Sequence, residues 1–232
     1  VLDIDAPLIE NMPADIVLEA PAGACEATAS WEEPTGFDCV SHLMSSNISS
    51  GASFPLGDTA VIYSAIDPAG NSSSASFTVT VLDVESPQID TIPADITLDS
   101  SPGACTGIAT WGSSTASDCT GISSLGTDHA SGSEFPIGTT TVTVLATDGA
   151  GNSSTATFEV TVLDAGPPTI SQMPGSVVLD NIPEQCSAVA SWTVPIATDC
   201  SSVVMTGDST SGSIFQIGTT VVTYTAVDAA GN

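Results

Sequence analysis

Asp148-Gly-Ala-Gly-Asn152, followed by Ser153-Ser-Thr-Ala-Thr-Phe-Glu-Val-Thr-Val-Leu-Asp164, is the stretch from which the rest of the chain can be read. Ala156, Phe158, Val160 and Val162 alternate with Thr155, Thr157, Glu159 and Thr161. An apolar period of two marks a strand with one buried face. The Asp- and Asn-flanked glycine segment ahead of it marks a tight turn. The same words recur as Asp67-Pro-Ala-Gly-Asn71 leading to Val81-Leu-Asp83, and as Asp228-Ala-Ala-Gly-Asn232.

The recurrence is periodic. Cys25, Cys105 and Cys186 stand 80 and 81 residues apart, and Asp67, Asp148 and Asp228 stand 81 and 80 apart. Trp31, Trp111 and Trp192 keep step, as do Gly57, Gly138 and Gly218. Such self-similarity means an array of small modules. The copies run over residues 1–83, of which 1–3 read as the tail of a preceding copy, then 84–164 and 165–232. The third copy stops before a counterpart of Ser153–Val162. Two explanations are open: the chain samples a continuous array, or a strand from another subunit completes the third copy.

Alternation pervades each copy. Val142, Val144 and Ala146 share a face, as do Val61, Tyr63 and Ala65, and Val222, Tyr224 and Ala226. Ile96 and Leu98 alternate with Asp95, Thr97 and Asp99; Cys105, Gly107, Ala109 and Trp111 line one side of the tryptophan strand. This predicts an all-β fold, with short antiparallel strands in two-sheet sandwiches arranged in tandem. Each indole N–H then needs a backbone acceptor.

Charge narrows function. There are 27 Asp and Glu residues, no Lys and no Arg, for a formal net charge of −27. An ordinary soluble chain is about 25% charged, with both signs represented. Nucleic acid and anionic lipid are excluded as charge-driven partners. The carboxylates must be neutralised by solution cations, either diffusely, as in solubility or salt adaptation, or as divalent ions that are parts of the structure. No window approaches the roughly 20 apolar residues of a membrane span. His42 and His129 fall at different offsets in their repeats, and the many serines lack a positioned base, so no catalytic role is expected.

Strand direction places the chemistry. The last strand of a copy runs away from the Asp-x-Ala-Gly-Asn turn, so that turn lies at the leading end, where the acidic linker also arrives. Asp148 and Asn152 should then meet Asp83 and Glu85; Asp67 and Asn71 should meet Asp3 and Asp5; Asp228 and Asn232 should meet Asp164. Asp38, Asp118 and Asp199, in the loop after the tryptophan strand, approach the same end. Calcium takes six to eight oxygens from carboxylates, Asn side chains and carbonyls, and each junction offers that mixture. Calcium at the junctions is therefore the expectation. The plainer alternative is that Asp and Asn cap the turns and bind nothing.

Six cysteines, two per copy, point to disulfides and an oxidising compartment. The simplest pairing is within copies: Cys25–Cys39, Cys105–Cys119 and Cys186–Cys200. An extended tryptophan strand would put the two members of such a pair at opposite poles, which leaves Cys25–Cys119 and Cys105–Cys200, across junctions, open as the alternative. Asn47, Asn71 and Asn152 stand in N-glycosylation sequons.

The order Pro93-Ala-Asp-Ile96, Gly103-Ala-Cys105, Trp111, Asp118-Cys119, Phe135-Pro-Ile-Gly-Thr139, Asp148-x-Ala-Gly-Asn152 and Val162-Leu-Asp164 resembles the hyalin repeat (HYR) module along the whole chain. The resemblance implies immunoglobulin-like sandwiches in an extended array, used in extracellular adhesion and matrix. The expected role is a structural or adhesive segment of an extracellular fibre, filament or cell-surface stalk. Its partners would be neighbouring copies of the same repeat or subunit, and surface glycans or matrix. The alternatives are a glycan- or ligand-binding accessory region of a secreted enzyme, and an acidic ion- or mineral-binding matrix protein.

Overall fold

The computed structural model describes residues 2–232 and is all-β. In the first repeat a four-stranded sheet runs Ile16–Glu19, Ser72–Leu82, Gly57–Ile66, Leu43–Ser46. Facing it are two short pairs, Leu8–Glu10 with Thr35–Phe37 and Glu26–Thr28 with Ser53–Pro55. The second repeat repeats the plan, its sheet running Ile96–Asp99, Ser153–Leu163, Gly138–Asp148, Ile122–Thr127.

The antiparallel expectation fails at one pairing in each of the first two sandwiches. Ile16–Glu19 runs parallel to the last strand, with Ile16 opposite Val79 and Leu18 opposite Val81. Ile96–Asp99 does the same against Val160 to Leu163. Both strands of each pair run away from the leading end, so the sheet they share is mixed. Alternation could not distinguish the two directions, because the side-chain period is two in either.

Two compact units divide the chain. One runs through Ile92 and takes up Ser114–Gly126 and Val144–Ala156; the other comprises Pro93–Ser113, Thr127–Thr143 and Thr157–Asn232. The first thus joins repeat 1 to the leading end of repeat 2, and its core clusters Ala27, Ala29, Phe54, Val61, Tyr63, Phe77, Val79 and Val81. Trp31 meets Phe77 edge-on with ring centroids 5.1 Å apart. In the second unit Trp111 meets Phe158 in the same way at 5.2 Å. The indole N–H does not seek backbone: Trp31 donates to the Tyr63 hydroxyl at 2.7 Å and Trp192 to Tyr224 at 2.6 Å. Gly57 and Gly138 hold φ of +92° and +107° as the first residues of the long strands, where a Cβ would be strained.

The third repeat differs. It has no counterpart of Ser72–Leu82 among the described residues, and residues 177–180, equivalent to Ile16–Glu19, form no strand. A groove of about 600 Å³ is left between Val177, Leu179, Trp192, Phe215, Val221 and Tyr224. Val177, Leu179 and Val221 are correspondingly exposed. No helix among the described residues is long and apolar enough to cross a membrane.

Candidate cation sites at the repeat junctions

Three carboxylates converge at the leading end of every repeat: Asp3, Asp38 and Asp67; Asp83, Asp118 and Asp148; Asp164, Asp199 and Asp228. In each group the oxygens lie within 4.8 Å of one another. One member comes from the linker, one from the loop after the tryptophan strand, and one from the Asp-x-Ala-Gly-Asn turn.

The turn aspartate is the most buried member, with Asp148 only 1% exposed. Its Oδ1 accepts the backbone N–H groups of Gly151 at 2.6 Å and Asn152 at 2.8 Å, and its Oδ2 accepts the Asn152 amide at 3.0 Å. That amide also donates to the linker carbonyl of Asp83 at 3.3 Å. Asn71 serves Asp67 and the Asp3 carbonyl in the same way, as Asn232 serves Asp228 and the Asp164 carbonyl. Burial works to raise the carboxyl pKa of Asp67, Asp148 and Asp228, but the Asn amide and the turn's backbone N–H groups outweigh it. All three are held below the ordinary carboxylate range, ionised beside two further carboxylates.

The linker is fastened by its own turn: the backbone N–H two residues on donates to Oδ1 of Asp3, Asp83 and Asp164 at 3.2–3.3 Å. Ser154 Oγ ties the Pro87 carbonyl to the last strand at 2.6 Å, and Ser73 does so for Pro7. What the protein leaves unsatisfied faces inward. Oδ2 of Asp3, Asp38, Asp164 and Asp199 is buried with no hydrogen-bond partner, as is the Ser201 hydroxyl. In the middle group the Thr120 hydroxyl stands 2.9 Å from both Asp83 Oδ2 and Asp118 Oδ1. There is no Lys or Arg to neutralise any of these groups.

The donor set fits calcium. Carboxylate oxygens bind it at 2.3–2.6 Å, so ligands across one ion stand roughly 5 Å apart. The oxygens here are within that span. Buried, unpaired carboxylate oxygens are otherwise costly.

Of the residues predicted from sequence, Asp3, Asp67, Asp83, Asp148, Asp164 and Asp228 lie in these groups. Asn71, Asn152 and Asn232 sit one layer behind, spending their amides on the turn and linker. Asp5 and Glu85 stand outside the groups; the Glu85 carboxylate instead accepts the Gly23 N–H of the first repeat at 2.6 Å. Asp38, Asp118 and Asp199, expected at this end but given no ligand role, supply the third carboxylate. The signal was the Asp-Cys dipeptide at the same place in every repeat.

The favoured cysteine pairing is corrected. Disulfides join Cys25 to Cys119 and Cys105 to Cys200, each with Cα atoms 5.3 Å apart, while Cys39 and Cys186 are free and exposed. The first cysteine of a repeat lies at its trailing end and the second at its leading end, so the near neighbour is in the adjoining repeat. His129 lies 5.4 Å from the Phe135 ring and 3.0 Å from Asp128. The sequon amide of Asn47 donates to the Ala60 carbonyl at 3.1 Å, and those of Asn71 and Asn152 are engaged as above.

Sandwich repeats with disulfides from each repeat to the next and shared acidic clusters define a tandem-module protein of oxidising surroundings. The HYR domain family matches residues 2–81, 82–162 and 163–232, and the chain belongs to that family. It is thereby an extracellular or cell-surface segment. Among relatives, it is 32% identical over 236 residues to hyalin of Lytechinus variegatus, covering 97% of this chain and 44% of that protein. It is also 32% identical over 242 residues to hyalin of Strongylocentrotus purpuratus, covering 100% of this chain and 20% of that one. The chain spans less than half the length of either. Mouse cadherin-23 repeats share 16% identity over 69% of this chain and 65% of theirs, with a TM-score of 0.36.

Proposed function

We propose that this chain is a structural and adhesive segment of an extracellular fibre or stalk, and that calcium bound at each junction holds consecutive HYR repeats in a fixed relation. The observation that carries the reading is the convergence of linker, loop and turn carboxylates at all three places, with buried oxygens of Asp3, Asp38, Asp164 and Asp199 that no protein group satisfies. Bound calcium would supply the compensating charge. Asp83, Asp118 and Asp148, with their equivalents, would hold it, and the Asn amides keep the turn aspartate facing inward. Because the three ligands come from two sides of a junction, holding one ion restrains the linker against the repeat that follows. Partners are then neighbouring repeats and surrounding matrix. The tryptophans a sugar platform would present at the surface pack instead against Phe54, Phe77, Phe135 and Phe158, which favours the structural role.

Isothermal titration of EDTA-treated chain with calcium tests this, alongside thermal unfolding in EDTA and in calcium. Saturable binding with a rise in Tm is expected. A chain that takes up no calcium and melts identically in both buffers overturns it.

A further inference from the structure

The disulfides and the carboxylate groups meet at one dipeptide. Asp118 belongs to the middle group, and Cys119, the next residue, is bonded to Cys25 of the preceding repeat. Asp199 and Cys200 repeat the arrangement with Cys105. The turn that carries Cys25, closed by the Ala24 N–H on the Pro21 carbonyl, also gives its Gly23 N–H to Glu85. Glu85 in turn donates its own N–H to Asp83 Oδ1 at 3.2 Å. Residues 21–25 of the first repeat are thus linked indirectly to two of the three middle carboxylates: to Asp118 through the disulfide on its neighbour Cys119, and to Asp83 through Glu85, which accepts from Gly23 and donates to Asp83. The third group has the covalent tie, but Gly166 stands where Glu85 would be.

We infer that the Cys25–Cys119 and Cys105–Cys200 disulfides are positioning elements for the cation sites, so that disulfide state and calcium affinity are thermodynamically linked. This rests on the calcium reading above. The disulfide removes the freedom of the Asp-Cys loop, and a loop already held loses less entropy when its aspartate is captured by an ion. Linkage is reciprocal: if the disulfide tightens calcium binding, calcium must make that disulfide harder to reduce by the same factor. The middle site is tied twice and the last once, so the middle site should bind the ion more tightly than the last. Reduction by dithiothreitol breaks the S–S bond into two thiols; the two electrons and two protons come from the dithiol, which closes to its own cyclic disulfide.

The test has two arms on the whole chain. First, calcium titration of the oxidised chain is compared with that of Cys25→Ser/Cys119→Ser, where one site should weaken by about tenfold. Second, the fraction of each disulfide reduced across a dithiothreitol series is read by differential alkylation and mass spectrometry, in calcium and in EDTA. Calcium should protect both disulfides, and Asp118→Asn should cancel the protection of Cys25–Cys119 while leaving that of Cys105–Cys200. The second arm keeps the cysteines, so it stands even where the double variant folds poorly. Calcium binding that is equal in the two chains, or reduction that calcium does not alter, overturns the linkage and leaves the calcium reading intact. An oxidised chain that binds no calcium overturns both.

Discussion

Asn152 is hydrogen-bonded to Asp148 twice, through its backbone N–H to Oδ1 at 2.8 Å and through its side-chain amide to Oδ2 at 3.0 Å. The same amide reaches the Asp83 carbonyl, so one side chain closes the turn and fastens the linker to it. Asn152→Ala removes both amide bonds and leaves a buried, ionised Oδ2 without its donor. Thermal unfolding in EDTA should fall by roughly 3–8 °C. An unchanged Tm would show that water replaces the amide without loss.

The same geometry sets a pH dependence. Asp67, Asp148 and Asp228 have folded pKa values below their unfolded ones: burial opposes this, and the Asn amides with the turn N–H groups prevail. A depressed folded pKa stabilises the fold at pH values above the unfolded one, about 3.9 for Asp, and that stability is lost as pH falls through the folded value. In calcium-free buffer the Tm should therefore drop steeply below about pH 4. Asn71→Ala and Asn152→Ala should flatten the drop. A flat profile in the parent chain would contradict the assignment.

How much of this the sequence discloses follows from the range of each interaction. Alternation at Phe158, Val160 and Val162 is local, so strands and their buried faces could be read directly; all three are at most 2% exposed. The turn aspartates were legible because Asp, Gly and Asn form a local motif. Two features were not. Whether Ile16–Glu19 runs parallel or antiparallel to its neighbour depends on a crossover between sheets, which leaves no periodic trace. Which cysteine meets which depends on the distance across a junction: Cys25 and Cys119 are 94 residues apart in sequence but face one another in space. The aspartate beside Cys119 was placed at the right end by its position after the tryptophan strand, but its approach to Asp83 and Asp148 is a three-dimensional fact that the spacing does not carry.

The pairing is open to direct check. With no Lys or Arg the chain has no tryptic site, so digestion at Asp and Glu is required. Without reduction, the peptide bearing Cys25 should be recovered linked to that bearing Cys119, and Cys39 and Cys186 should alkylate freely. A loop of 94 residues corresponds to about 4–5 kcal/mol of chain entropy, against roughly 3 for one of 14 within a repeat. Cys25→Ser/Cys119→Ser should lower stability to denaturant by that order. Recovery of Cys25 linked to Cys39 would refute the cross-junction arrangement.

Trp31 and Tyr63 give a prediction confined to one core. Tyr63 accepts the indole N–H and donates to Glu33 Oε2 at 2.5 Å. Tyr63→Phe keeps the ring and removes the acceptor, and should cost about 1–2 kcal/mol in denaturant unfolding. The second repeat has Val144 at this place, so Val144→Phe would add volume to a fully buried site and be harmful for a different reason, overpacking. Equal stability of the parent and Tyr63→Phe would show that the indole hydrogen bond contributes nothing net.

Thr120 separates the middle junction from the other two. Its hydroxyl, 2.9 Å from Asp83 Oδ2 and from Asp118 Oδ1, supplies a dipole between two carboxylates where the first repeat has Val40. Without an ion, that hydroxyl is the nearest relief for their repulsion; with one, the ion takes over. Thr120→Val keeps the shape and removes the dipole. In EDTA the variant should melt below the parent, by about 3–6 °C. In saturating calcium the two should melt close together, so that calcium raises the variant's Tm by more than the parent's. A deficit of the same size in both buffers would place the threonine's contribution in packing alone, and the middle carboxylates would then be no more in need of a counter-charge than those of an ordinary acidic surface.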